Sequence, residues 1–335
     1  MKVDAGLDGV SVERGDGAFG IKLDALVRVR HVGSFGADAP SRSEFSVPMA
    51  RPALHAHLWG DRARVFLQAE LAGEARLLDA KLTLKLVDGL WLELGQMMVP
   101  FTRAFLTPVP KVQLPDFGLV NDAFRVGRDI GVALHGEPRR GLLELTFGVY
   151  SGDPFKLAER PNPSPMVLAR VVVNPLGRVD YSQTSSLDGD RPLRVALGAN
   201  AYTHVATAPA EGDGPEGLER LVTAGGDLAL EGWRANLLVE GFWRRAWARA
   251  PIVETRDSWG VYAQPGVFVW ARHLELVARV GLLDQPIVGR ERAYEGGLNG
   301  YVLGNHLKLQ LRYRCARPTG GACRHSLTSQ LQVWF

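Results

Sequence analysis

The sequence predicts an all-β fold, a single transmembrane antiparallel β-barrel of about sixteen strands with one long inward-folding loop. Three observations lead to that prediction. Apolar and polar residues alternate in short runs from residue 19 to the end of the chain, and the connections between runs are short and long in turn. Every apolar stretch is also interrupted by a polar residue well before the ~18 residues that a membrane-spanning helix needs. A β-barrel tolerates such interruptions, because only every second residue of a strand faces lipid.

The first run, residues 19–34, shows the alternation clearly. Ile21 and Leu23 fall on one face of the predicted strand, and Lys22 and Asp24 fall on the other. Further runs follow at approximately 45–59, 62–73, 78–87, 90–99, 127–136, 142–151, 165–174, 191–203, 220–232, 235–246, 258–270, 273–283, 293–303, 306–316 and 325–335. The resulting even number of strands is typical of bacterial single-chain barrels.

The connections between these runs alternate in length. Tight turns such as residues 60–61 alternate with long connections such as residues 100–126. Outer-membrane barrels show this alternation, because their periplasmic turns are short and their external loops are longer. Two connections depart from the pattern: residues 175–190 are long where a short turn is expected, and residues 74–77 are short where a loop is expected.

The pattern indicates one domain, since no linker rich in proline, glycine or serine divides the chain. We predict a single outer-membrane barrel over residues 1–335, with residues 1–18 as a short N-terminal periplasmic segment and residues 101–126 as a constriction loop that narrows or plugs the lumen. No signal-peptide-like apolar segment follows Met1, so we expect the mature form of a bacterial outer-membrane protein. The in-phase last strand ending at Phe335 predicts recognition by the barrel assembly machinery, with a chance core strand as the alternative.

Composition and charge narrow the classes of function. The formal net charge is only +3 and the basic residues are scattered, so we predict no nucleic-acid partner. No phosphate loop, dinucleotide fingerprint, metal-ligand spacing or Ser-centred nucleophile elbow appears, which predicts no cofactor, no metal and no catalytic residue. His55 and His57 share one strand face, so an enzyme embedded in the barrel remains an alternative, although such a pair is more typical of lumen polarity.

Cys315 and Cys323 flank a short polar stretch between two strands that should pair. We predict a disulfide between them, as suits an oxidising compartment. Two free thiols are the alternative.

The polar phase of the strands predicts a lumen with more basic than acidic side chains. Because the first and last strands pair to close a barrel, basic residues near both chain ends should form one wall. The predicted pore-lining residues are Lys22, Arg28, Arg30, Arg51, Arg64, Lys81, Lys85, Arg170, Lys308, Arg312 and Arg314. Such a wall favours anions. The alternative is that lumen carboxylates balance these charges and the basic residues only stiffen the wall.

Several segments resemble the phosphate-selective porin O and P family. Residues 95–101, Gly-Gln-Met-Met-Val-Pro-Phe, are similar to the family's Gly-x-x-x-x-Pro-Phe segment. Residues 128–136, 145–152, 169–171 with 174–177, and 297–301 with 306–310 extend the likeness over most of the chain. The chain departs from the family at Met97, Met98 and Val99, where a basic residue often stands.

The resemblance implies a homotrimeric porin of sixteen strands in outer-membrane lipid, whose long third external loop folds into the lumen. It also implies passive diffusion of small hydrophilic solutes, with anions such as phosphate preferred. We expect a channel and not an enzyme. A non-selective general diffusion porin and a barrel-embedded enzyme are the alternatives.

Overall fold

The sheet closes into an antiparallel barrel, which confirms the predicted fold class. The computed structural model describes residues 1–36, 39–152, 164–184, 187, 189–208, 217–249, 255–286 and 289–335. Within this part of the chain, sixteen strands form the barrel: β3 (Phe19–Gly36), β4 (Ala39–Leu58), β5 (Ala63–Glu70), β6 (Arg76–Val87), β7 (Leu90–Met98), β8 (Arg128–Gly136), β9 (Leu143–Tyr150), β10 (Met166–Val173), β11 (Arg191–Ala208), β12 (Gly217–Trp233), β13 (Ala235–Arg249), β14 (Thr255–Trp270), β15 (Leu274–Gln285), β16 (Gly289–Tyr301), β17 (Leu307–Pro318) and β18 (Arg324–Trp334). Each pairs with the next, and β18 pairs with β3 to close the ring.

Two further strands, β1 (Lys2–Gly6) and β2 (Gly9–Glu13), form a hairpin that the alternation pattern did not predict. β2 pairs with the beginning of β3, where Val10 lies opposite Leu23. β18 pairs with the same edge of β3 from Leu26 onward. The hairpin therefore continues the sheet beyond the point where the last strand ends.

The two faces of the wall have opposite character. In β17, Leu309 and Leu311 are exposed on the outside, while Lys308, Gln310 and Arg312 are buried on the inside. An apolar exterior around a polar interior is expected of a barrel in lipid. In the described part of the chain, none of the helices is long and apolar enough to cross a membrane.

Two of the described connections enter the lumen from opposite ends of the barrel. Residues 99–127, between β7 and β8, carry the helices α1 (Arg103–Leu106) and α2 (Gly118–Phe124) and a 3₁₀ turn at Val109–Lys111. We call this segment the constriction loop. A shorter 3₁₀ turn, Pro138–Gly141, joins β8 to β9.

The second entering connection is the described part of residues 174–190, between β10 and β11, which we call the lower segment. It meets the constriction loop at Gln183. The backbone N–H of Gln183 donates to the carbonyl of Lys111 at 3.1 Å, and its side-chain oxygen accepts from the backbone N–H of Gln113 at 3.0 Å. This inward path explains why residues 175–190 are long at the end of the barrel where the other turns are short.

An apolar core lies between the constriction loop and the neighbouring wall. Phe101 packs edge-on to Tyr202 of β11, with ring centroids 4.8 Å apart, and Phe124 stacks on Phe242 of β13 at 5.5 Å. These rings bury apolar area that the polar wall alone would not offer. The loop is thus held by a small core of its own.

Cys315 and Cys323 are joined by a disulfide, with their Cα atoms 5.7 Å apart. The bond closes the connection between β17 and β18.

A substitution on the outer face can test whether this face contacts lipid. Val280, near the middle of β15, is 51% exposed on the outer face, beside the inward-facing Arg279. We expect Val280→Arg to lower the free energy of unfolding in lipid vesicles by about 2 to 4 kcal/mol, because the charge would lie in hydrocarbon. Urea titration of the refolded barrel measures this change.

The matched control is Val302→Arg, because Val302 is similarly exposed at 58% but follows the end of β16. Near the membrane interface the same change should cost only about 0 to 1 kcal/mol. Equal losses at both positions would contradict the assignment of the outer face to lipid.

Candidate pore and constriction loop

The beginning of the constriction loop is fixed by Glu240 of β13. The Glu240 carboxylate accepts hydrogen bonds from the backbone N–H groups of Arg103 at 2.6 Å and Ala104 at 3.1 Å, in the first turn of α1. It also accepts from the Asn121 side chain at 3.2 Å and from the hydroxyl of Tyr262. One buried carboxylate therefore satisfies N–H groups that the short helix leaves free.

The middle of the loop is fixed through its backbone carbonyls. Arg28 of β3 donates to the carbonyl of Val109 at 2.6 Å, and the ammonium of Lys308 donates to those of Pro110 and Val112, each at 2.7 Å. Further wall side chains donate to loop carbonyls in the same way: Arg30, Asn299, Gln310 and Gln332. Because this irregular stretch forms few backbone hydrogen bonds of its own, the wall supplies the missing donors.

Just before α2, the loop is clamped by Asp116. Its carboxylate pairs with Arg279 of β15 at 3.0 Å and with Arg312 of β17, and both arginines also pair with Glu295. Burial opposes ionisation of Asp116, but the two guanidinium groups outweigh it and hold the pKa of this carboxyl well below its usual range. Gly118 has a φ of +81°, and a Cβ there would lie 2.5 Å from the Arg279 guanidinium carbon, so this clamp requires glycine.

Arg103 connects the loop to the lower segment. Its guanidinium donates to the carbonyl of Val179 at 2.8 Å and lies 4.5 Å from the centre of the Tyr181 ring. Arg103 and Arg170 flank the carboxylate of Asp227, at 3.8 and 2.7 Å. These contacts occupy the lumen beside β10 to β12.

The open part of the lumen lies on the other side of the loop, against β3 to β10. It contains two adjoining cavities in the described part of the chain. The first, of ≈ 640 Å³, lies between the loop residues 106–111 and the wall, and we call it the constriction. The second, of ≈ 710 Å³, extends to the β1–β2 hairpin and the turn at Asp61, and we call it the vestibule. Both cavities are lined by Lys22, His55, Phe66, Lys81, Glu93 and His135.

The constriction carries more positive than negative side chains. Among the described residues its basic members are Lys22, Arg51, Lys81, Lys111, Arg128 and Arg170, and its acidic members are Asp24, Asp79 and Glu93. The vestibule differs, since its basic members are Lys22, Arg64 and Lys81 and its acidic members are Glu13, Asp61, Glu93 and Glu137. The surplus of positive charge is therefore confined to the constriction.

Most of the cations at the constriction have an anionic partner. Lys81 pairs with Glu93 at 2.6 Å and Arg128 pairs with Asp79 at 2.9 Å. Arg51 and Arg170 pair with carboxylates behind the lining, those of Glu70 and Asp227. In the part of the chain that the structure describes, two lining cations form no ion pair, Lys22 from the wall and Lys111 from the loop.

The residues predicted to line the pore divide into three groups. Those that line the open lumen are Lys22, Arg51, Arg64, Lys81 and Arg170. Those covered by the constriction loop, which they hold, are Arg28, Arg30, Lys308 and Arg312. Lys85 pairs with Asp88 of the adjacent turn at 2.6 Å, and Arg314 adds to the positive field around Asp116.

Several lining residues were not identified from the sequence, and Lys111, Arg128 and Phe66 are the ones that matter most here. Lys111 lies in the loop, where strand alternation gives no guide to orientation. Arg128 is the first residue of β8, where the phase of the strand is least defined. Phe66 gave a signal that could have been used, because it occupies the polar phase of β5 together with Arg64 and Gln68.

The Asp116 clamp generates a test of how the loop is held. We expect Asp116→Asn to lower the free energy of unfolding by about 2 kcal/mol near neutral pH, because charge-assisted hydrogen bonds to Arg279 and Arg312 are lost. Since the folded-state pKa is depressed, the carboxylate stabilises fully above the unfolded-chain pKa and loses this effect as pH falls toward the lower folded-state pKa. Urea titrations at several pH values should show the two proteins converging in acid.

Asp122→Asn is the control, because Asp122 lies in the same loop but forms only a partly exposed ion pair with Arg125 at 3.4 Å. Its effect should be below about 1 kcal/mol. Equal stability of wild type and Asp116→Asn at neutral pH would refute the clamp.

Solved structures of outer-membrane channels have the same fold as this chain. The chain superposes on an anion-selective porin from Comamonas acidovorans with a TM-score of 0.65 and 13% identity, covering 95% of this chain and 100% of that one. It superposes on the outer membrane channel DcaP of Acinetobacter baumannii with a TM-score of 0.67 and 12% identity, covering 97% and 99%. For OmpF of Salmonella typhi the TM-score is 0.59 and the identity 11%, covering 97% and 100%.

No family model and no curated protein sequence matches the chain. The resemblance to the phosphate-selective porin O and P family therefore stays a prediction. Identities of this size establish the fold and nothing finer. The chain has the closed, sixteen-stranded antiparallel barrel fold of the outer-membrane porins.

Proposed function

We propose that the chain is a bacterial outer-membrane porin, a passive diffusion channel for small hydrophilic solutes that prefers anions, phosphate among them. The observation that carries this proposal is the surplus of positive charge at the constriction, where Lys22 and Lys111 have no carboxylate partner among the described residues. A solute passing between wall and loop meets both ammonium groups. The walls around them have a low dielectric constant, which strengthens their field.

Unpaired charges matter more for selectivity than the total number of basic residues. A paired arginine and its carboxylate form a dipole whose field falls quickly with distance, whereas an unpaired ammonium attracts anions over the Debye length of ~8 Å at physiological salt. Lys22 comes from β3 and Lys111 from the loop, and both line the constriction. An anion that enters this cavity is attracted by both charges.

The wider setting supports the same proposal. An apolar exterior and a polar, partly open lumen suit a barrel in outer-membrane lipid, inserted by the barrel assembly machinery that we expect to read the last strand. One structural neighbour is an anion-selective porin, and another, OmpT of Vibrio cholerae, is recorded in a trimer form. We extend the proposal to a homotrimer on that basis.

Ion selectivity in planar bilayers tests the proposal. Under a KCl gradient the wild-type channel should give a reversal potential of the anion-selective sign. The double variant Lys22→Gln/Lys111→Gln should reduce the ratio of anion to cation permeability about threefold, because the unpaired charge is removed from the constriction.

Lys85→Gln is the matched control, because Lys85 pairs with Asp88 at the turn and lines neither cavity. It should keep the wild-type reversal potential. A wild-type channel without charge preference would replace the proposal with a general diffusion porin. Absence of any conductance would overturn the assignment as a porin.

A further inference from the structure

The constriction has an apolar side that its charges do not explain. Leu106, Pro108, Val109 and Pro110 line it from the loop, next to Lys111. Their side chains are held in place because the wall binds the carbonyls of this stretch. A water-filled pore for small hydrated ions has no need of this surface, since apolar groups offer nothing to an ion's hydration shell.

The wall opposite the loop carries aromatic rings within the polar phase of its strands. Phe66 of β5 lies against the imidazole of His55, with ring centroids 4.7 Å apart. Phe66 lines both the constriction and the vestibule. In the vestibule, Trp91 and His135 form a second pair with centroids 5.7 Å apart. Rings therefore continue along the path that a solute takes out of the constriction.

The arginines at the constriction are poorly placed to bind phosphate. An arginine recognises a phosphate through its planar fork of N–H donors, and a compact dianion needs several such donors to replace its water. Arg51, Arg128 and Arg170 each already form an ion pair with a buried carboxylate, at 2.6, 2.9 and 2.7 Å, so much of their charge is balanced. Lys22 and Lys111 remain, and each offers a single compact charge.

From these observations we infer that the constriction favours organic anions with a flat apolar body, the class of aromatic carboxylates, over inorganic phosphate. The carboxylate would pair with Lys22 or Lys111, while the ring stacks on Phe66 and faces the apolar loop residues 106–110. Stacking and burial of apolar area supply affinity that a small hydrated anion does not gain. This inference rests on the proposed function, because it requires an open channel.

Block of the chloride current by added anions tests the inference, with benzoate, acetate and inorganic phosphate as probes. Each anion is titrated against the single-channel current of the wild-type protein in KCl. Benzoate should half-block the current at a concentration about tenfold below that of either acetate or phosphate. Equal block by benzoate and acetate, or stronger block by phosphate, would overturn the inference while leaving the porin intact.

Variants of Phe66 then locate the effect. Phe66→Ala should raise the half-blocking concentration of benzoate about fivefold and that of phosphate hardly at all, and Phe66→Leu, which keeps an apolar side chain, should fall between. Phe147→Ala is the matched control, because Phe147 is 52% exposed on the outer face of β9. It should leave block by all three anions unchanged.

Each remaining outcome decides between the two proposals. An equal loss of benzoate and phosphate block in Phe66→Ala would indicate a general change in the pore and overturn the role of the ring. If the wild-type protein carried no chloride current, the proposed function itself would be overturned. The blocker titrations test only the preference among anions.

Discussion

The interior of this barrel depends on the need of buried backbone groups for hydrogen-bond partners. An irregular loop inside a lumen cannot satisfy its own carbonyls, and an unsatisfied buried group costs roughly 1 to 3 kcal/mol. The wall meets this need with long polar side chains, as Lys308 shows: it is fully buried and donates to the carbonyls of Pro110 and Val112. The path of the loop, and with it the shape of the channel, follows from where such donors stand.

The same need for hydrogen-bond partners means that many basic side chains of the lumen serve the loop and not a solute. Arg28, Lys308 and Arg312 are basic residues of the inner wall, but their N–H groups are directed at the loop and its Asp116. A basic group that the loop covers cannot contact a solute in the open lumen. In the channel that we propose, the positive field therefore comes from few groups, foremost Lys22 and Lys111, and the total number of basic residues overstates it.

The barrel could be predicted from the sequence because its alternation is local: Leu309 and Leu311 flank Gln310, and lipid and lumen select opposite characters at neighbouring positions. The candidate site could be predicted only in part. Lys308 and Pro110 are 198 residues apart, so no local pattern reveals that one holds the other. The unusual length of residues 175–190 was a visible anomaly, but only the structure gives its inward path. The short β1–β2 hairpin has too few residues for a strand pattern.

The contact between the two entering connections bears on the selectivity that we propose. Gln183 bonds to the loop at Lys111 and Gln113, and Gln113 in turn donates to Glu275 of β15 at 2.5 Å. Lys111, the residue next to the apolar surface, is therefore tied to the lower segment through its carbonyl, and it also lines the constriction. The selection that we propose, by a fixed charge and a fixed ring, requires such rigidity, because a mobile loop would let its charge follow any solute. The polar network on one side of the lumen thus fixes the loop residues that line the cavity on the other side.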